Sequence, residues 1–210
     1  MIAVINYRLG NLGSVVKAFQ YLGIPVQLTA DPREIKKAAG LVLPGVGAFG
    51  KGMENLRKNG LDQLIKAEVG RGKPLLGICL GQQLLFEGSE EAAGIDGLGL
   101  LRGWVKKFSS REVGKVPHIG WNRVEAVRTD QLLNGLSDNY FYFVHSYYVL
   151  PENKEDILGE TSYGKRIFAS VVNRGQIWGL QCHPEKSGRI GLSLLKNFGE
   201  VVNDGGNSGD

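Results

Sequence analysis

The apolar run Leu75-Leu76-Gly77-Ile78 stops at a thiol, Cys79, and the chain resumes as the helix-like amphipathic stretch Leu80-Gly81-Gln82-Gln83-Leu84-Leu85-Phe86. Glycines on both sides, Gly77 and Gly81, leave room for the close backbone approach that a sharp strand-to-helix turn requires. A thiol lifted onto such an elbow meets the unpaired N–H groups and positive dipole end of the following helix, which favour thiolate over thiol. A second segment, Gly179-Leu180-Gln181-Cys182-His183-Pro184-Glu185-Lys186-Ser187, supplies an imidazole with a carboxylate two positions on. In an extended chain residues i and i+2 share a face, so Glu185 can reach the side of the His183 ring. It would fix the tautomer and favour the imidazolium, leaving the other nitrogen to take the thiol proton. Nucleophile, base and orienter for acyl transfer are thus all present.

Two other histidines compete for the role of base. His118, in Val116-Pro117-His118-Ile119-Gly120-Trp121-Asn122, and His145, in Phe143-Val144-His145-Ser146-Tyr147, each read equally well as hydrogen-bonded structural residues. Cys182 neighbours His183 in what reads as a strand, so its side chain points the other way and belongs to the core. An acyl-transfer site also needs donors for a developing oxyanion. The N–H of Leu80 at the helix start is one candidate, and the turn Pro44-Gly45-Val46-Gly47-Ala48-Phe49-Gly50 is the natural source of another. These glycines lack the lysine and hydroxyl of a Walker phosphate loop, and no Cys or His pairs fall at zinc spacing. No metal and no cofactor is expected.

The elements that must position these residues follow a βα rhythm. Short β-branched runs, 2–7, 26–30 and 41–43, alternate with amphipathic segments at 10–22 and 32–39, which argues for an α/β fold with a mostly parallel central sheet flanked by helices. Asp31-Pro32-Arg33-Glu34 reads as an N-cap, a first-turn proline and an acidic residue placed to favour the dipole. A helix over 61–69 ends near Gly70 and Gly72, and Pro74 opens the strand that carries Cys79. The elbow then falls at the C-terminal edge of a central strand, where ligands of open α/β sheets gather. The second half is richer in aromatic and β-branched residues, and 168–172 turns through Asn173-Arg174-Gly175-Gln176 into 177–181 as an additional antiparallel hairpin region. A last helix spans 190–202.

In bulk, 210 residues with 42% hydrophobic and 22% charged content suit one well-buried domain over 1–202, with 203–210 as a disordered polar tail. A net charge of +4 with dispersed Lys and Arg argues against a nucleic-acid footprint. The opening Met1-Ile2-Ala3-Val4-Ile5 lacks the regions of a signal peptide, no run approaches a membrane span, and two cysteines do not make a disulfide framework. The cytoplasm is the expected compartment.

Gly77-Ile78-Cys79-Leu80-Gly81-Gln82-Gln83 together with His183-Pro184-Glu185 resembles the class I, or triad, glutamine amidotransferases, over nearly the whole chain. The stretches 5–15, 44–49 and 117–122 are similar to the branch of that family that supplies the glutaminase subunits of imidazole glycerol phosphate synthases. The resemblance implies a flavodoxin-like fold and an activity. Cys79 would attack the side-chain amide of glutamine to give a glutamyl thioester, His183 would protonate the departing ammonia and then activate water, and Glu185 would orient His183. Gln83, Ser146 and Tyr147 match positions that hold the glutamine amino acid moiety, and Gly47 and Leu80 match the oxyanion site. Ammonia would pass to a cyclase subunit of (β/α)8 fold, bound as a heterodimer through Asn11, Ser14, Ile119, Trp121 and Lys186. That subunit would make imidazole glycerol phosphate and aminoimidazole carboxamide ribonucleotide. The chain departs from the pattern at Cys182, where an aromatic is more usual, at Gln82, where methionine is commoner, and at Asn6, where Asp is frequent. A glutaminase subunit of an anthranilate, aminodeoxychorismate or purine synthase is the nearest alternative. A stand-alone cysteine hydrolase of γ-glutamyl compounds is a further one.

Overall fold

The computed structural model describes residues 1–136 and 139–205. The first half alternates strand and helix: β1 (Ile2–Ile5), α1 (Leu12–Tyr21), β2 (Val26–Thr29), α2 (Pro32–Lys37), β3 (Gly40–Gly45), α3 (Phe49–Lys58), α4 (Leu61–Gly70), β4 (Leu75–Cys79) and α5 (Leu80–Leu84). The second half is strand-rich. It runs through β5 (Gly88–Ser89), β6 (Gly103–Lys107), α6 (Ser110–Val113), β7 (His118–Arg123), β8 (Glu125–Ala126), β9 (Tyr140–His145) and β10 (Tyr147–Pro151). It then closes with β11 (Ile157–Tyr163), β12 (Arg166–Arg174), β13 (Ile177–Leu180) and α7 (Gly188–Gly205).

The main sheet has the order β2-β1-β3-β4-β13-β12-β10-β6-β5, with its parallel half running from β2 to β13. β1, β3 and β4 are buried along their whole length, as strands covered on both faces must be, and this is why they read as unbroken apolar runs. Alternate side chains feed two cores. Ile2, Val4, Val42, Leu76 and Ile78 pack with Val15 and Phe19 of α1 and Leu194, Leu195 and Phe198 of α7. Ala3, Ile5, Leu41, Leu43 and Leu75 pack with Ile35 of α2, Met53 and Leu56 of α3, and Leu61 and Ile65 of α4. The period of two in the strands thus sorts the helices onto opposite faces.

Local signals act as read. Asp31 Oδ1 accepts a 2.8 Å hydrogen bond from the Arg33 N–H ahead of α2, and Pro32 opens that helix. The 168–181 hairpin forms as β12 and β13, turning at Gly175 with φ +57°. It belongs to the main sheet, because β13 runs parallel to β4 on its other side. A separate antiparallel pair, β7 with β9, stands beside the main sheet. The last helix continues to Gly205, past the expected end at 202, and residues 206–210 of the expected tail lie outside the described residues.

Candidate active site

Cys79 sits at φ +55° and ψ −109°, a backbone region that non-glycine residues rarely enter. The elbow is held by its two glycines. A Cβ on Gly81 would run into the carbonyl oxygen of Leu43, and one on Gly77 would lie 2.8 Å from the Gly81 carbonyl oxygen. Strand register then sets the neighbours. Gly45, the last residue of β3, pairs with Cys79, which brings the turn after β3 beside the sulfur. On the other flank Leu180 of β13 pairs with Ile78, so the segment leaving β13 delivers His183.

His183 and Glu185 meet as the sequence suggests, through a different local geometry. Pro184–Lys186 form a 3₁₀ turn, so the extended i, i+2 relationship is replaced by a curl that brings the carboxylate back onto the ring. Nδ1 of His183 lies 2.8 Å from Oε1 of Glu185, and both side chains are 2% exposed. The segment is tied down from behind. The His183 N–H donates to the Tyr142 carbonyl, Ser187 Oγ donates to the His183 carbonyl, and the Tyr142 N–H donates to Ser187 Oγ. His183 Nε2 is buried and has no partner at full hydrogen-bond geometry. Burial alone would lower the ring's pKa, but the Cys79 sulfur and the Glu185 carboxylate outweigh it and raise the pKa to about 10. The imidazole therefore rests as an imidazolium beside Cys79. That charge state agrees with the expectation that a carboxylate on one ring nitrogen favours the imidazolium.

Gly47, Cys79, Leu80, Gln83, Ser146 and Tyr147 line one cavity of about 380 Å³, together with Val46, Glu91, Pro117, Val144 and His145. Every residue matched to glutamine or to the oxyanion site thus borders the same space as the thiol. Gly47 has φ +116°, which explains a glycine there. Gln83 Nε2 donates to the Tyr147 carbonyl at 3.1 Å and to Gln181 Oε1 at 3.0 Å.

Two residues here were not singled out from the sequence. Among the described residues Glu91 places the only carboxylate on the cavity wall, its Oε2 accepting a 2.7 Å hydrogen bond from the Phe49 N–H. No local pattern marks it, since it reaches the cavity through a loop after β5. Gln181 is fully buried, and its Nε2 contacts Cys79 Sγ at 3.8 Å. Its place two residues before His183 was the available signal.

The residues matched to a partner surface cluster away from the cavity. Ile119 and Trp121, on the outer face of β7, are 54% and 57% exposed. Trp121 packs edge-on to Tyr142 at 6.2 Å, and Lys186 Nζ stands 5.8 Å over the same ring. Asn11 precedes α1 and Ser14 lies in its first turn, where Ser14 shares a cleft with Glu185 and Gly188. A second cleft joins Trp121 to Gly188. Ser14, Trp121 and Lys186 therefore lie around the 184–188 turn that carries Glu185. Cys182 is fully buried, and burial pushes its thiol pKa far up, in keeping with a core residue.

A parallel sheet ending in a strained cysteine elbow, with a buried histidine–glutamate pair alongside, defines a triad amidotransferase, and the family model described as glutamine amidotransferase class-I matches residues 3–201. The chain belongs to that class and, within it, to the family of imidazole glycerol phosphate synthase subunit HisH. It is 52% identical over 209 residues to the protein of that name from Moorella thermoacetica, covering 99% of this chain and 98% of the relative. It is 47% identical over 211 residues to the one from Geobacillus kaustophilus, covering 99% and 100%. Among solved structures, a glutamine amidotransferase crystal structure aligns with TM-score 0.76 at 19% identity, covering 96% of this chain and 98% of that one. PurLQS from Thermotoga maritima aligns with TM-score 0.75 at 18% identity, covering 96% and 98%. At these identities the structural matches establish the fold.

Proposed function

We propose that the chain is the glutaminase of an imidazole glycerol phosphate synthase, hydrolysing glutamine at Cys79 and passing ammonia to a cyclase subunit. The observation that carries this reading is the buried His183–Glu185 pair beside a cysteine on a strained elbow, opening on a cavity lined by the Glu91 carboxylate.

The Cys79 sulfur adds to the side-chain carbonyl carbon of glutamine, and the electron pair of the C=O bond moves to oxygen. The Leu80 N–H at the start of α5 and the Gly47 N–H of the turn beside Cys79 serve as donors for that oxyanion. The His183 imidazolium gives its proton to the amide nitrogen, the C–N bond breaks, ammonia leaves and a glutamyl thioester remains. The ring, now neutral and held by Glu185, takes a proton from water as the water oxygen attacks the thioester. Glutamate departs, and the thiolate–imidazolium pair is restored. Glu91 provides the counter-charge for the substrate's α-ammonium group, and Gln83, Ser146 and Tyr147 border its amino acid moiety.

Asn11, Ser14, Ile119, Trp121 and Lys186 form the docking face for a (β/α)8 cyclase in a heterodimer. Exposed Ile119 and Trp121 support this, as large apolar side chains at a partner surface commonly dominate binding. A cytoplasmic setting belongs to the same reading, and among the described residues no helix is long and apolar enough to cross a membrane. The test is glutamate release from glutamine by the purified chain, alone and with a cyclase subunit carrying its nucleotide. A low rate that rises by orders of magnitude with the partner is expected. Full activity without a partner would favour a stand-alone hydrolase of γ-glutamyl compounds.

A further inference from the structure

Two buried histidines outside the triad form one end of an unbroken hydrogen-bonded chain. His145 Nδ1 lies 2.7 Å from the Tyr147 carbonyl oxygen, His118 Nδ1 lies 2.9 Å from His145 Nε2, and Asn122 Nδ2 lies 3.2 Å from His118 Nε2. The direction of every link is fixed by chemistry. A carbonyl can only accept, so His145 carries its proton on Nδ1 and presents Nε2 as an acceptor. His118 must then donate from Nδ1, and its Nε2 accepts from the Asn122 amide. The Tyr147 carbonyl also accepts from Gln83, Gln83 donates to Gln181, and Gln181 Nε2 reaches Cys79 Sγ. Asn122 is anchored in turn, donating to the Ser162 carbonyl at 2.9 Å.

We infer that the His118–His145 pair is a positioning relay, tying the alignment of β7, whose outer face bears Ile119 and Trp121, to the placement of Gln83 and the Tyr147 carbonyl in the glutamine cavity. β7 pairs along its length with β9, whose end residues Val144 and His145 border the cavity. His118 and His145 face each other across that pairing, at the end of β7 nearest the cavity residues Pro117 and Val144. Both rings are nearly inaccessible, and they stack among Phe143, Tyr163 and Phe168, which holds their planes fixed. Burial lowers the pKa of His118 to about 4. Burial lowers that of His145 to about 3, with smaller opposing and assisting effects from the Tyr147 carbonyl, His118 and His183. Both rings thus stay neutral around pH 7, as a one-directional chain requires. Neither ring touches a reacting atom, and the role is to fix the groups that hold glutamine.

The relay rests on the glutaminase reading, and the test separates the two. In the full chain, imidazole ¹⁵N spectra should show both histidines as neutral Nδ1–H tautomers at pH 7, and His118→Phe should shift the side-chain amide resonance of Gln83. With glutamine, His118→Phe should raise KM on the order of fivefold with a smaller change in kcat, His118→Gln should recover part of the loss, and Gln83→Met combined with His118→Phe should cost no more than the worse single change. An Nε2–H tautomer in either ring, an unmoved Gln83 resonance, or losses in kcat/KM that multiply independently would overturn the relay. If the wild-type chain released no glutamate under any condition, the functional reading would fall, and the spectra of the wild type and His118→Phe would still decide the relay. If His118→Phe failed to fold, the tautomers of the wild type and the Gln83 shift in His118→Gln would decide it.

Discussion

Nδ1 of His183 stands 2.8 Å from Oε1 of Glu185, and this pair is reached through a 3₁₀ turn pinned to β9 by Ser187 and the Tyr142 backbone. The arrangement fixes one face of the imidazole and leaves Nε2 for the chemistry. It also sets the ring's charge, because the carboxylate and the Cys79 sulfur together raise the pKa to about 10 against the opposing effect of burial.

Replacing Glu185 by Gln removes the charge and keeps the shape. The His183 pKa should fall, so the alkaline limb of the kcat profile, where the imidazolium acid is lost, should move to lower pH. The rate at pH 7 should drop about 10²- to 10⁴-fold. A limb unchanged in position would show that Glu185 does not set the ring's charge.

The same pair affects stability. A histidine whose folded pKa lies above its unfolded value contributes stability that is fully present below about pH 6.5 and disappears as pH rises through the folded value near 10. Wild-type unfolding free energy should therefore decline on the alkaline side by more than that of His183→Gln. Parallel curves in urea titrations from pH 6 to pH 10 would contradict this.

Glu68 offers the opposite sign. Its side chain is 4% exposed, with Lys73 Nζ 2.7 Å from Oε2 and Arg71 on the other oxygen. Burial would raise this carboxyl, but the two cations outweigh it and hold the pKa below the ordinary value. Its stabilisation is present above the ordinary carboxylate range and is lost as pH falls through the lowered folded value. Glu68→Gln should cost about 1–3 kcal/mol at pH 7 and flatten the acid side of the stability curve, as thermal melts across pH would reveal.

Gly81→Ala should be among the most damaging single-methyl additions, because the new Cβ meets the Leu43 carbonyl with no flexible side chain to yield. A loss of about 2–3 kcal/mol in unfolding free energy, together with loss of glutamine hydrolysis, is expected. Near-wild-type activity would mean that the elbow relaxes easily.

Much of this site was legible before the structure. Cys79, Gly77 and Gly81 announce the elbow because a close backbone approach admits few residue types, and His183 and Glu185 are close enough in sequence for local geometry to join them. The parallel strands were readable because burial on both faces demands continuous apolar runs. What escaped depends on contacts between distant segments. Glu91 reaches the cavity through a loop with no local signature, and Gln181 acquires its meaning by touching both Gln83 and Cys79. The 3₁₀ turn at 184–186 was hidden because an extended chain could satisfy the same histidine–carboxylate pairing.

Trp121→Ala tests the docking face. The side chain is 57% exposed, so its removal should alter stability by less than about 1 kcal/mol, yet weaken the cyclase complex by about 2 kcal/mol or more in titration calorimetry. Unchanged affinity would move the interface elsewhere.

The central claim is covalent catalysis at Cys79, and acid quenching of the chain during glutamine turnover, followed by intact-mass and peptide mass spectrometry, addresses it directly. The account predicts a glutamyl adduct on the peptide containing Cys79, absent in Cys79→Ala, which should release no glutamate. Continued glutamate release by Cys79→Ala, or an adduct on any other residue, would contradict it.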